Sequence, residues 1–409
     1  FWLKVARRRA RFSRGTALRA STSTAPDMAV PPARAAEATR GARLPPAVVV
    51  FGGAGFVGRS VVRQLRAALA EPRAPGEAEP WACGRPLVVS ADLRPNPEAD
   101  ATVSINLRDP GTVEEGVFRA FDVQAAVVAV KPPLVGPSYQ DFMELNVAGI
   151  VDLVRLAEKH HVRQLVHVSS IATCDHWVPH RDCSESDPGA SPPLSTLRSP
   201  YDLSKAVAED FVLSKHRPDG MHTVAVRIGG VYGGPDDPYP NWRAPFGIAF
   251  DLWYHPDYPK VDLNYVENIA GALVRTLQVL RSDASVGGRF YFYTHGDIRD
   301  QQVIGPIVAR ARGRFFVGAP MFPVRELLQL LSMLDTLLLM LPGLPRFSNV
   351  RHGGRSLPPR SHFTARSILD AGFIHQSFDN SLFRATFGYA YLYTAEEAAS
   401  HMALQAEAA

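Results

Sequence analysis

Residues 47–58 read Ala47-Val48-Val49-Val50-Phe51-Gly52-Gly53-Ala54-Gly55-Phe56-Val57-Gly58. A short β-branched run of this kind makes a strand buried on both faces, and here it passes straight into a glycine cluster. Ser60-Val61-Val62-Arg63-Gln64-Leu65 follows with helical spacing. Strand, glycine-rich turn and helix in this order predict an anion-binding turn. The helix N-terminus offers free N–H groups, and glycines let the backbone come close to a pyrophosphate. Gly53, Gly55 and Gly58 fit G-x-G-x-x-G, while Gly52, Gly55 and Gly58 fit the related G-x-x-G-x-x-G. The predicted cofactor-binding residues are therefore Gly52, Gly53, Gly55, Phe56, Val57 and Gly58.

The alternation continues along the chain. Strand-like runs occur at 87–90, 125–130, 165–169 and 223–228, with helical segments around 142–159 and 203–213. Strands alternating with helices imply parallel pairing through right-handed crossovers. The expected fold class is α/β, a Rossmann-type doubly wound parallel sheet with a smaller C-terminal substrate region. Such a sheet asks for an acid at the end of its second strand to hold the adenosine ribose. Asp92 supplies it, displaced by an apparent insertion at 71–86. A carboxylate there repels a 2′-phosphate, so NAD is expected over NADP, with Arg94 nearby as the one opposing feature.

Tyr201 and Lys205 lie at i and i+4 in Ser199-Pro200-Tyr201-Asp202-Leu203-Ser204-Lys205, on one face of a predicted helix. A phenol is a poor base at neutral pH, and a neighbouring ammonium favours its phenolate. Ser170 ends the strand His167-Val168-Ser169-Ser170, where an open parallel sheet faces its ligand, so its hydroxyl is placed to bind a substrate oxygen. Asn146 lies mid-helix, where an amide is otherwise unfavourable, and is expected to anchor a water relay from Lys205. The candidate catalytic residues are Tyr201, Lys205, Ser170 and Asn146, with Lys205 also contacting the cofactor.

These motifs, together with Arg227-Ile-Gly-Gly-Val-Tyr-Gly-Gly-Pro-Asp236, resemble the extended short-chain dehydrogenase/reductases. The C-terminal part, with the Leu/Met-rich segment 324–341, Phe363-Thr364-Ala365-Arg366 and 378–389, looks like that of the 3β-hydroxysteroid dehydrogenase family, which includes sterol-4α-carboxylate 3-dehydrogenases. The resemblance covers about residues 47–400. It implies NAD-dependent oxidation of a 3β-hydroxyl on a steroid or sterol, with loss of a 4α-carboxylate or double-bond isomerisation in some members. It also implies Tyr201 as proton acceptor, Lys205 as its pKa modifier and ribose ligand, and Ser170 as substrate-orienting hydroxyl. The alternative on the same fold is a nucleotide-sugar epimerase or dehydratase. A departure from the family is Val130-Lys131-Pro132-Pro133, where Lys131 has three readings: a cofactor phosphate ligand, a substrate carboxylate ligand, or a solvated side chain.

Composition bounds the remaining readings. The chain has 409 residues, 46% hydrophobic and 21% charged, which argues against wholesale disorder and against a coiled coil. Three cysteines are too few for a disulfide scaffold. The formal charge is +4, but residues 1–45 hold ten Lys/Arg against Asp27 and Glu37. The basic balance thus belongs to a tail and the remainder is mildly acidic, so no nucleic-acid partner is expected. The tail reads either as an organellar transit peptide or as sequence ahead of a start at Met28.

The expected organisation is a tail or targeting segment at 1–45, an NAD-binding domain at 46–233 and a substrate-binding region at 234–409. Segment 324–341 gathers Arg325, Glu326, Gln329, Ser332, Asp335 and Thr336 on one side of a helical wheel. Its 18 residues would span roughly 27 Å as a helix, but the polar side argues for lying in a membrane interface rather than crossing it. The expected setting is intracellular and membrane-associated, at the endoplasmic reticulum or another organelle, with a homodimer among the allowed assemblies. Cys174-Asp175-His176 through His180 and Cys183 imitates a zinc cluster, but its intervals match no common finger, and no metal is expected.

Overall fold

The computed structural model describes residues 44–71, 84–132, 138–175, 178–197, 199–233, 248–254, 262–295, 315–320 and 375–407, and the helical positions 327, 329, 330 and 333. All of these belong to the unit Leu44–Ala409.

Seven parallel strands form the central sheet: β1 (Pro46–Phe51), β2 (Leu87–Asp92), β3 (Ala101–Ser104), β4 (Asp122–Val128), β5 (Gln164–Ser170), β6 (His222–Ile228) and β7 (Phe290–Tyr293). Their spatial order is β7-β6-β5-β4-β1-β2-β3. The order reverses between β1 and β4, which pair from Pro46↔Asp122 to Phe51↔Val128. In a doubly wound sheet the ligand crevice opens at this switch point, beyond the C-terminal strand ends.

The strand β1 shows why the run Ala47–Phe51 had to be central. Val48 and Val50 face one helical layer and Ala47, Val49 and Phe51 the other, all fully buried. On the first side lie α1 (Phe56–Ala70) and the long helix Val266–Ser282, the latter burying Ile269, Leu273, Leu277 and Leu280. On the second side lie α2 (Ile150–Lys159) and α3 (Pro200–Ser214), contributing Ile150, Leu153, Val154, Ala208 and Val212. The helix Val266–Ser282 is labelled α4. Two C-terminal helices, α5 (Ser381–Phe387) and α6 (Ala395–Glu407), follow it. Phe383 and Phe387 of α5 join the same core as the sheet valines.

Two sheet strands depart from the expected pattern. Ala101–Ser104 is a four-residue edge strand that alternates half-buried and exposed positions. Phe290–Tyr293 pairs with β6 and so takes its place in the sheet after α4. Outside the sheet, His180–Cys183 pairs with Gln376–Phe378, and Gly230–Tyr232 pairs with Leu263–Tyr265. Among the described residues no helix is long and apolar enough to cross a membrane. Most of the segment 324–341 lies outside the described residues. Leu327, Gln329, Leu330 and Met333 are helical and exposed.

Candidate active site

The glycine turn closes the gap between β1 and α1. Gly52 has φ +80°, a left-handed conformation, and its N–H donates to Ala91 O of β2 at 2.8 Å. Gly58 is required for a different reason: a Cβ there would overlap the carbonyl oxygen of Gly52. Gly55 is the N-cap of α1, its N–H donates to Gly52 O at 2.9 Å, and no side chain caps the helix. The free amides at the start of α1 therefore face the crevice as donors for an anion. Gly53 has its carbonyl held by Asn96 Nδ2 at 2.8 Å, from a buried asparagine just beyond β2.

Phe56 and Val57 are half-buried and pack against a cluster that includes Tyr232, Tyr265 and Ala398. Asp92 ends β2 as expected. Its Oδ2 accepts from Ala54 N at 3.2 Å and its Oδ1 from Arg94 N at 3.1 Å. Arg94 Nη2 in turn donates to Ala54 O at 3.3 Å, so acid and base both border the turn. A backbone cradle that tolerates no Cβ, an uncapped helix end and a carboxylate at the second strand together fit a dinucleotide.

The second half of the site comes from β5 and α3. Ser199 caps α3 by accepting from Tyr201 N at 3.2 Å and Asp202 N at 3.4 Å, with Pro200 at the first helical position. This start directs Tyr201 toward the end of β5, where the Ser170 hydroxyl is near enough to act on its phenol. Its ring stands edge-on to Phe142, with centroids 5.9 Å apart. Burial pushes the phenol up to about 12, the nearby Ser170 hydroxyl draws it down, and the Asp202 carboxylate raises it. The protein alone thus keeps Tyr201 a phenol.

Lys205 lies one turn on, buried, with Nζ donating to Val168 O at 3.0 Å and to Val130 O at 3.4 Å. Burial and then the Lys131 ammonium bring it down to about 7, against a raising influence from Glu209. Lys131 itself lies three residues past the end of β4. The expected direct influence of Lys205 on Tyr201 is not among the causes acting on the phenol, because the ammonium is turned to the strand carbonyls. His167, fully buried on β5, is held neutral by burial and by Lys205.

Asn146 is buried in a π-helical stretch, Met143–Gly149, that leads into α2. Such π-helical turns recur at functional sites. Its Nδ2 donates to Ser204 Oγ at 3.0 Å, and Ser204 Oγ donates to Tyr201 O at 2.8 Å, so it is bonded to α3 through Ser204 rather than to Lys205. Its Oδ1 is buried and unpartnered among the described residues.

Sequence reasoning missed Asn96 and Glu209. The Pro-flanked turn Arg94-Pro95-Asn96-Pro97 was a local signal for the first, and the i+4 spacing from Lys205 for the second. The zinc-like segment has other uses. Cys174 Sγ donates to Ala190 O at 3.5 Å, and the His180 ring lies 5.4 Å from that of Phe378. Among the described residues no group of three or more His, Cys, Asp or Glu side chains could hold a metal ion.

Known proteins are similar to this chain in sequence and in fold. Residues 48–286 match the NAD dependent epimerase/dehydratase family. The chain is 24% identical over 262 residues to a decarboxylating sterol-4-alpha-carboxylate 3-dehydrogenase of Candida albicans, covering 61% of this chain and 70% of that one. It is 24% identical over 261 residues to a 3-beta-hydroxysteroid dehydrogenase of Mycolicibacterium neoaurum, covering 61% and 66%. Its fold is like that of a UDP-glucose 4-epimerase of Thermus thermophilus in complex with NAD, with TM-score 0.58 and 19% identity over 89% of this chain and 99% of that one. The expectations of a Rossmann fold, of NAD as cofactor and of an oxidoreductase-type enzyme agree with these likenesses. The glycine turn and the sheet that carries it lie inside the matched residues, and the chain belongs to the NAD dependent epimerase/dehydratase family.

Proposed function

We propose that this protein oxidises a 3β-hydroxyl of a steroid or sterol to the 3-ketone. The observation that carries this reading is the grouping of Tyr201, the Ser170 hydroxyl that lowers its phenol pKa, and the buried Lys205 one helical turn on. When bound, NAD supplies the acceptor for the hydride leaving the carbinol carbon. Ser170 holds the substrate oxygen, and Tyr201, as phenolate, takes the hydroxyl proton. Burial opposes that phenolate and Ser170 favours it, so Ser170 both orients the substrate and eases deprotonation. Lys205 has two of its three N–H groups on Val168 and Val130, which leaves the third for a ribose hydroxyl. The unpartnered Asn146 Oδ1 is an acceptor for a water on the proton's way out.

The glycine residues of the turn, Asp92 and Lys205 would hold NAD, within a nucleotide-binding domain at 46–233 followed by a substrate region at 234–409. The likeness to the Candida albicans and Mycolicibacterium neoaurum enzymes supports the sterol assignment. Exposed Leu327, Leu330 and Met333, three residues apart on a helix, support peripheral contact with a lipid surface.

A nucleotide-sugar epimerase or dehydratase is the second reading, favoured by the family match and the fold likeness. NADH formation over 3β-hydroxysterols, with and without a 4α-carboxylate and beside UDP-sugars, decides between them. Turnover of a sterol is expected, and turnover confined to UDP-sugars would replace the sterol reading.

A further inference from the structure

Arg227 and Glu209 form a buried ion pair beneath the catalytic helix. Arg227 Nε donates to Glu209 Oε1 at 3.1 Å and Oε2 at 3.0 Å, and Nη2 donates to Oε1 at 2.5 Å. Glu209 continues the stripe Tyr201, Lys205, Glu209 along one face of α3, each four residues from the last. The same guanidinium reaches the other half of the site. Its Nη1 donates to Ala190 O at 2.5 Å and to Cys174 Sγ at 3.5 Å. Cys174 ends the short helical turn Ile171–Cys174, which Ser170 caps by accepting from Ala172 N at 3.2 Å. The cation also lies 3.4 Å over the Phe290 ring of β7, and Arg227 stands opposite Ser169 in the β5–β6 register. One side chain therefore ties the helix that carries Tyr201, the turn that begins at Ser170 and the edge of the sheet.

We propose that Arg227 is a positioning residue for the dehydrogenase reaction, holding the Ser170 turn and the Tyr201 helix in mutual register through Ala190, Cys174 and Glu209. This rests on the reading of Tyr201 and Ser170 as catalytic residues. Burying two charges is costly, and apolar packing of similar volume often stabilises a core as well. The use of a five-donor fork here is explained by what it connects: a planar guanidinium fixes several acceptors at once in set directions. The pair also acts on Lys205, which Lys131 faces from the end of β4, His167 from β5, and Tyr201 and Glu209 from its own helix. Among these Glu209 is the group that favours the charged lysine.

Steady-state NADH formation by the full chain, with melting temperature and NAD binding measured in parallel, tests the proposal. Arg227→Met is expected to lower kcat about a hundredfold, the scale of a 1 Å misplacement, with NAD binding unchanged. Glu209→Gln preserves shape and removes the charge, so kcat falls and the limb of the pH profile governed by Lys205 moves to lower pH. A purely structural pair would lower the melting temperature and leave both kcat and the profile as in wild type, and that result overturns the proposal. If Arg227→Met does not fold, Glu209→Gln and Arg227→Lys are read by the same two measurements, with the same results expected and the same result overturning. Tyr201→Phe is assayed alongside. Wild-type turnover in that variant would defeat the underlying catalytic reading, a failure distinct from that of Arg227.

Discussion

The ammonium of Lys205 donates to the carbonyl oxygen of Val168 at 3.0 Å, two residues before Ser170 on the same strand. The lysine is thus anchored to the strand that ends in Ser170. Its burial has a cost that depends on pH. With a folded pKa of about 7 against about 10.4 when unfolded, Lys205 binds fewer protons in the native state between these values. Its contribution to stability is therefore complete above the unfolded value and is lost as pH falls through the folded one.

Lys205→Met should remove that dependence. Unfolding of wild type and variant compared from pH 6 to 10.5 is expected to show the wild type gaining stability relative to the variant as pH rises from about 7. Parallel curves would show that the lysine is not desolvated.

Tyr201→Phe deletes the proposed proton acceptor while leaving its ring edge-on to Phe142. Loss of a positioned acid–base group typically costs about 10²–10⁴ in rate, so kcat should fall by that factor with NAD affinity preserved. Wild-type turnover would remove Tyr201 from the chemistry.

Gly58→Ala places a methyl group against the Gly52 carbonyl, inside a turn built of backbone with no room to give. The helix must move off β1, at about 1–3 kcal/mol of unfolding free energy and with weakened NAD binding. Calorimetry and NAD titration on one preparation measure both.

Asp92→Asn removes the carboxylate that disfavours a 2′-phosphate and leaves Arg94 beside Ala54. The wild type is expected to use NAD in preference to NADP, and the variant to narrow that preference through a lower KM for NADP. Equal use of both cofactors by the wild type would mean that Asp92 does not set the choice.

The nucleotide half of the site was legible because its chemistry is local. A valine run, three glycines and an acid at a strand end each impose a backbone requirement within a few residues, as the left-handed Gly52 illustrates. Tyr201, Lys205 and Ser170 were legible for a related reason: helix spacing and a strand end place them without tertiary information. Asn96 and Arg227 were not recognised for their roles, because each acts through a partner distant in sequence, Gly53 in one case and Glu209, Cys174 and Ala190 in the other. The tuning of Lys205 escaped for the same reason. It follows from Lys131, 74 positions away, and from burial that only packing creates. The strand Phe290–Tyr293 was missed since four consecutive aromatic residues show neither alternation nor a β-branched run.

That last strand bears on how the protein can be shortened. The family match stops at residue 286, just short of β7. A fragment cut there would leave β6 as an open edge with unpaired N–H and C=O groups, and would strip Tyr291, Tyr293, Phe383 and Phe387 from the core that covers it. Such a fragment is expected to self-associate through exposed strands, whereas one retaining residues to 407 keeps β6 paired to β7 and the aromatic cover over it.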